Sequence, residues 1–245
     1  MTLTTNPSST SALLPNTIDL SHSVVAGGRD VHVVDLTISY VRGSMRVVPV
    51  SGLTFYAPSS RITALVGRSG SGKTSILSTI AGMLHPQSGT VWLGGIDVSS
   101  LRGAQLDAYR RRHVGVVHQA YNLIPSLTAI ENVSVPLTLT GASSREARSR
   151  AGELLERLGL GDVQRRRPHE LSGGQQQRVA VARALAPGPS VVVADEPTSN
   201  LDGSSVEEVR DLFRSIADNG CTVIVSTHDD RLLSLVDQTI HLGGG

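Results

Sequence analysis

The chain has a single cysteine, Cys221, in 245 residues. That excludes an internal disulfide and a metal site built from several thiolates, and it suits a reducing compartment. Long apolar runs are also missing. The longest, such as residues 191–194, are strand-sized, whereas a membrane-spanning helix needs about 20 apolar residues. Neither sign of charge is in excess: 22 Lys and Arg face 21 Asp and Glu, for a net charge of +1. No global basic field is therefore available to hold a nucleic acid backbone. Residues 1–30 are rich in Ser and Thr and lack the basic start and continuous apolar segment of a secretory leader. They are expected to form a flexible tail, with a docking or regulatory arm as the alternative. No internal repeat or heptad seam is present, and no low-complexity block occurs beyond that tail.

The length suits one large domain, or a core with an inserted subdomain. Val34, Leu36, Ile38 and Tyr40 alternate with polar residues, and Leu53 with Phe55 repeats the theme, predicting half-buried antiparallel strands. Residues 62–66, 114–117, 191–194 and 222–226 are short runs with few polar positions. That is the composition of strands covered on both faces in a parallel sheet. Between them, Ala147, Ala151, Leu154, Leu155 and Leu158 fall at helical spacing, as do Val206, Val209, Leu212, Phe213 and Ile216. The expected class is α/β.

Directly after the 62–66 run comes Gly67-Arg68-Ser69-Gly70-Ser71-Gly72-Lys73-Thr74, followed by Ser75. A strand before G-x-x-x-x-G-K-[ST] and a helical pattern after it define a P-loop. Its glycines let backbone N–H groups wrap anionic oxygens, and Lys73 adds a point charge at the β/γ-phosphates. Thr74 offers a hydroxyl to Mg²⁺, and the helix N-terminus adds its dipole. A nucleoside triphosphate is the implied ligand. Far downstream, the 191–194 strand leads into Asp195-Glu196. Two carboxylates there can divide the work, Asp195 on Mg²⁺ and Glu196 on the attacking water.

A P-loop alone leaves many nucleotide-handling families open. Leu171-Ser172-Gly173-Gly174-Gln175 opens a helix-compatible run and is followed by Asp195-Glu196-Pro197-Thr198. This resembles the signature of the ABC ATPase family, and the resemblance runs over about residues 31–242. It implies a RecA-like P-loop core with an N-terminal antiparallel β-subdomain. It also implies an ATPase domain at 31–245 with an inserted helical subdomain at 99–170. The family's Q-loop glutamine corresponds to Gln119, its D-loop to Ser199-Asn200-Leu201-Asp202, its switch histidine to His228 and its adenine-stacking aromatic to Tyr40. Glu196, His228 and Gln119 are then the expected catalytic residues, and Thr74, Gln119 and Asp195 the expected metal set. Ser172, Gly173 and Gly174 put a hydroxyl and amides at a helix N-terminus, a second anion site. In the family each ATP lies between the P-loop of one copy and the signature of another, so ATP closes a homodimer. Two departures stand out. Pro58-Ser59-Ser60-Arg61 replaces the usual glycine-containing turn, and His118 stands where an aromatic commonly precedes the Q-loop glutamine.

About 100 residues separate Thr74 from Ser172, too few for long coiled-coil arms, and a single ATPase unit argues against tandem factors. The resemblance therefore points to a transporter ATPase that works with a separate transmembrane permease, peripheral to the cytoplasmic face of the membrane. Residues 122–133 and Ala194 are similar to the macrolide-export, lipoprotein-release and cell-division branch. The ATPase of a polar amino acid importer and a soluble regulatory ABC ATPase remain the alternatives. The arginine runs 110–112 and 165–167 are expected to be solvated, and Cys221 to be inert core.

Overall fold

The computed structural model describes residues 28–43 and 45–243. The expected tail falls outside them up to residue 27. From Arg29 the chain is tied down: its N–H donates to Ser59 Oγ, its guanidinium to the Gly220 carbonyl, and its own carbonyl accepts from Thr222 Oγ1.

Strands β1 (Val31–Arg42) and β2 (Met45–Ala57) form a long antiparallel hairpin. After β3 (Ile62–Val66), which joins the second sheet, β4 (Ser88–Leu93) and β5 (Ile96–Asp97) complete a four-stranded sheet of order β2-β1-β4-β5. The alternation predicted for β1 holds only in part. Asp35 adopts φ 50 and the register with β2 shifts between Val33 and Leu36. This irregularity swaps the inward set from Val31 and Val33 to Leu36 and Ile38, all fully buried, and leaves Val34 between the two phases. Tyr40, beyond the last inward position, is 45% exposed.

The second sheet is parallel, of order β6-β7-β8-β3-β9, built from β6 (Val114–Val117), β7 (Val191–Asp195), β8 (Thr222–Ser226) and β9 (Gln238–His241) around β3. Its apolar runs are unbroken because both faces are covered. Leu65, Val191, Val193 and Ile224 pack toward the antiparallel sheet, together with α1 (Lys73–Ile80) and α2 (Gly103–His113). Ile62, Ala64, Val192, Val223 and Val225 pack on the opposite side against α6 (Gly203–Asp218). The substituted turn before β3 is made by Ser60 at φ 59, and Asp237 accepts from the Ile62 N–H at 2.8 Å and pairs with Arg61 at 3.0 Å.

A third apolar cluster joins α3 (Ala129–Leu139), α4 (Ser144–Arg157) and α5 (Gly173–Leu185). Across the range expected for the helical insertion, 99–170, the packing is of two kinds. Within that range Leu106 and Tyr109 of α2 bury into the core beside Ile80, and β6 is a strand of the parallel sheet. The helical cluster starts at Ala129 and includes α5. Thr128 and Glu131 form a capping box at the start of α3, and Ser143 caps α4. Arg111, Arg112 and 165–167 are exposed, as expected, whereas Arg110 is half-buried.

Candidate functional site

Four parallel strands deliver the site, β6 through Gln119 and the other three through the residues below. The carboxyl ends of β3, β7 and β8 are neighbours in the sheet, where open α/β folds bind ligands. The loop 67–72 leaves β3 and turns into α1 through Gly72, at φ 89. Only glycine fits there: a Cβ would lie 2.4 Å from Val50 Cγ2 and 3.0 Å from the Pro49 carbonyl oxygen. The Lys73 ammonium folds back over the loop and donates to the Gly67 carbonyl at 2.7 Å and the Arg68 carbonyl at 3.3 Å. Its charge is thus held over the cradle.

At the end of β7, Asp195 Oδ2 accepts from Thr74 Oγ1 at 2.7 Å, and its Oδ1 accepts from Ser226 Oγ, which stands opposite in β8. Glu196 follows at φ 45, a left-handed conformation for a residue with a Cβ. Its N–H donates to the Ser226 carbonyl at 3.1 Å and Ser226 Oγ at 3.0 Å. These bonds fix the carboxylate's root, and Glu196 Oε2 meets His228 Nδ1 at 2.9 Å. Glu196 is largely covered while His228 is 76% exposed, so the imidazole reaches outward over the acid.

These residues share one cavity of about 590 Å³. Its walls include Tyr40 and Pro49 at one end, Gly67, Arg68, Ser69, Gly70, Gly72, Lys73, Thr74 and Ser75 along the floor, and Gln119, Asp195, Glu196 and His228 opposite. Ser71 sits beneath the loop, buried, its Oγ without a hydrogen-bond partner among the described residues. Ser172, Gly173, Gly174, Gln175 and Asp202 are not among the walls. Ser172 caps α5 in a capping box with Gln175, and Asp202 caps α6 by accepting from the Ser205 N–H at 2.9 Å. That bond holds the Asp202 carboxyl below the usual carboxylate range. His118, ahead of Gln119, is half-buried. Burial first and Arg183 second lower its pKa, against an opposing pull from Asp195.

The donor set fits Mg²⁺. Thr74, Asp195 and Gln119 offer hydroxyl, carboxylate and amide oxygens, the hard ligands of an ion that keeps several waters and takes others from phosphate. No group of three His, Cys, Asp or Glu side chains able to cage a metal occurs among the described residues. Two contributors were invisible to pattern reasoning: Ser226, whose hydroxyl serves both carboxylate residues, and Pro49, which backs the P-loop glycine.

Comparison with known proteins agrees with this geometry. The ABC transporter family model matches residues 50–199, more than half of the chain. An uncharacterized ABC transporter ATP-binding protein of Mycobacterium tuberculosis is 47% identical over 213 residues, 87% of this chain and 64% of its own length. The chain thus spans slightly less than two thirds of that relative. The lipoprotein-releasing system ATP-binding protein LolD of Bacteroides thetaiotaomicron is 41% identical over 204 residues, 83% of this chain and 93% of its own. Among solved structures, the dimeric post-hydrolysis form of the ATP-binding cassette MJ0796, bound to ADP and phosphate, superposes with a TM-score of 0.80 at 35% identity. The match covers 86% of this chain and 94% of that one. The chain belongs to the ABC transporter family of ATP-binding proteins.

Proposed function

We propose that the chain is the ATP-hydrolysing subunit of an ABC transporter, in which two copies close on two Mg-ATP molecules and drive a separate membrane permease. The observation that carries this reading is the division of its anion-binding elements. The cavity gathers the P-loop, Asp195, Glu196, Gln119 and His228, while the Ser172-capped end of α5 lies outside it. A site with every catalytic element but no second phosphate clamp calls for a second copy to supply the clamp. The dimeric MJ0796 cassette bound to ADP and phosphate is a precedent in a similar protein.

In this reading Tyr40 stacks on the adenine, and Lys73 leaves its loop carbonyls for the β- and γ-phosphates. Glu196 takes a proton from the water that attacks the γ-phosphorus as the bond to the β–γ bridging oxygen breaks, and His228 orients Glu196 and the transferred group. Mg²⁺, held through Thr74, Asp195 and Gln119, would neutralise charge on the phosphate oxygens. Asp202 and its loop would contact the second copy. The likeness to LolD favours a permease of the export, release or mechanotransmission type, engaged by the helical layer at the cytoplasmic face of a membrane. No helix among the described residues is long and apolar enough to cross a membrane, which is compatible with a peripheral subunit.

Two variants test the chemistry. Glu196→Gln should keep ATP binding and lower turnover by about 10²-fold to 10⁴-fold, the range for a general base; wild-type turnover would remove Glu196 from that role. Lys73→Ala should abolish nucleotide affinity, and normal binding would refute the phosphate assignment. Purifying tagged Glu196→Gln protein from detergent-solubilised membranes with ATP tests the partner. A co-purifying permease with few spans and a large external domain supports the proposal, and a trapped dimer with no membrane protein contradicts it.

A further inference from the structure

The turn after Gln119 carries two consecutive residues in the left-handed region, Tyr121 at φ 58 and Asn122 at φ 49. Neither is glycine, and such backbone persists only where its surroundings hold it. The holding group is Arg183, in the last turns of α5. Its Nη1 donates to the Asn122 carbonyl at 2.6 Å and its Nη2 to the Tyr121 carbonyl at 2.9 Å. Arg183 is half-buried, and among the described residues no carboxylate lies within ion-pair distance of it. A guanidinium withdrawn from water without a counter-ion needs its fork filled by strong acceptors. Two adjacent main-chain carbonyls fill it here, and they belong to the strained turn.

The segment is pinned on both sides of that turn. Asn200 Nδ2 donates to the Gln119 carbonyl at 3.0 Å. Asn132 of α3, fully buried, accepts from the Ile124 N–H at 2.8 Å and donates to the Ile124 carbonyl at 3.2 Å. With its neighbours fixed, Gln119 has little backbone freedom left except at 121–122, which Arg183 governs. Gln119 itself faces the nucleotide cavity.

We propose that Arg183 is a positioning residue for ATP hydrolysis: by clamping the 121–122 turn it holds Gln119 at the metal side of the cavity, tying Gln119 to the helix that begins at Ser172. This rests on the reading of the cavity as a Mg-ATP hydrolysis site. A displacement of α5 then moves Gln119 through two hydrogen bonds, without any contact between α5 and the nucleotide of the same chain.

The test is steady-state ATP hydrolysis by the full chain, titrated with Mg²⁺, for wild type, Arg183→Lys, Asn122→Gly and the double variant, with Glu196→Gln alongside. Lysine keeps the charge but lacks the rigid planar fork that seats both carbonyls at once. Arg183→Lys should lower kcat by about 10-fold and raise the half-saturating Mg²⁺ concentration several-fold, the scale on which partners of metal ligands act. ATP affinity measured in EDTA should stay within about twofold, because the P-loop is untouched. Glycine adopts φ 49 without strain, so Asn122→Gly in the Arg183→Lys background should restore part of the loss. An unchanged Mg²⁺ dependence, or a defect that Asn122→Gly leaves untouched, overturns the proposal. Should Arg183→Lys not yield folded protein, Asn122→Val perturbs the turn with Arg183 intact, and a wild-type Mg²⁺ dependence there overturns it equally. Wild-type turnover in Glu196→Gln would instead refute the parent reading, whereas a dead Glu196→Gln beside a normal Arg183→Lys refutes only the clamp.

Discussion

Glu196 stands at φ 45 at the end of a buried strand, held by its N–H bonds to Ser226. A Cβ in left-handed backbone costs about 1–2 kcal/mol, so the residue proposed to handle the attacking water also stores strain. Replacing it by Ala and by Gly isolates that strain. Both variants delete the carboxylate and its contact with His228, so those losses cancel in the comparison. At an ordinary position Ala is more stabilising than Gly by about 0.4–1 kcal/mol, because glycine has more unfolded-state entropy to lose. Here the Cβ strain opposes that preference and exceeds it, leaving Glu196→Gly ahead of Glu196→Ala by about 1 kcal/mol. For a chain of this size that corresponds to about 2–4 °C in Tm. Urea midpoints and thermal melts of the nucleotide-free variants read the difference directly. An Ala variant as stable as the Gly variant, or more so, would refute the claim that site geometry is maintained against backbone preference.

Other consequences are equally open to measurement. A Cβ on Gly174 would fall 2.4 Å from Ser205 Oγ and 2.9 Å from Ser205 Cβ, so Gly174→Ala should lower stability by about 1–3 kcal/mol, as overpacking does. Ser205→Gly should recover most of that in the double variant, and an additive double variant would show that α5 and α6 do not meet there. Gly72→Ala combines the positive φ with the Val50 collision, and the loop distortion should weaken ATP binding by at least about 10-fold, read by fluorescent-nucleotide titration. Burial pushes the Cys221 thiol up to about 11. The folded protein at pH 8 should therefore resist maleimide and label only as it unfolds, since the thiolate is the nucleophile. Rapid labelling of native protein would contradict that burial.

The parallel core was legible because burial on both faces leaves an unambiguous trace: four short apolar runs became β3, β6, β7 and β8 with nearly the expected bounds. The fifth strand, β9, left no such trace, since Gln238-Thr239-Ile240-His241 is polar at both ends and lies at the sheet's edge. In β1 a strict two-residue period misassigned Val34, because a bulge at Asp35 inverts the facing without any change in composition. α2, inside the range expected for the helical insertion, carries arginines in its last turn. Leu106 and Tyr109 are too few to announce that it packs on the core, where the Tyr109 hydroxyl donates to the Ile80 carbonyl.

The P-loop, Gln119, Asp195, Glu196 and His228 were readable for a different reason: each sits at or just after the end of a strand of the parallel sheet, where a short motif fixes its own surroundings. Supporting groups have no such local signature. Ser226 is the last residue of a strand, and nothing in Thr222–Ser226 says that β8 will lie beside Asp195 in register. Arg183 reads as one more arginine on a helix surface until the backbone of Tyr121 and Asn122 is known. The same distinction bears on the two helix N-termini that offer amides to anions. At α1, Gly72 leaves the helix start uncapped by any side chain, facing the cavity. At α5, Ser172 and Gln175 cap each other. A phosphate arriving at α5 must therefore displace the bond that the Gln175 N–H donates to the Ser172 hydroxyl, whereas at α1 no side chain occupies the amides. Under the proposed two-copy arrangement, nucleotide is then expected to bind first at the P-loop of its own chain, with the α5 end of the other copy engaging it second.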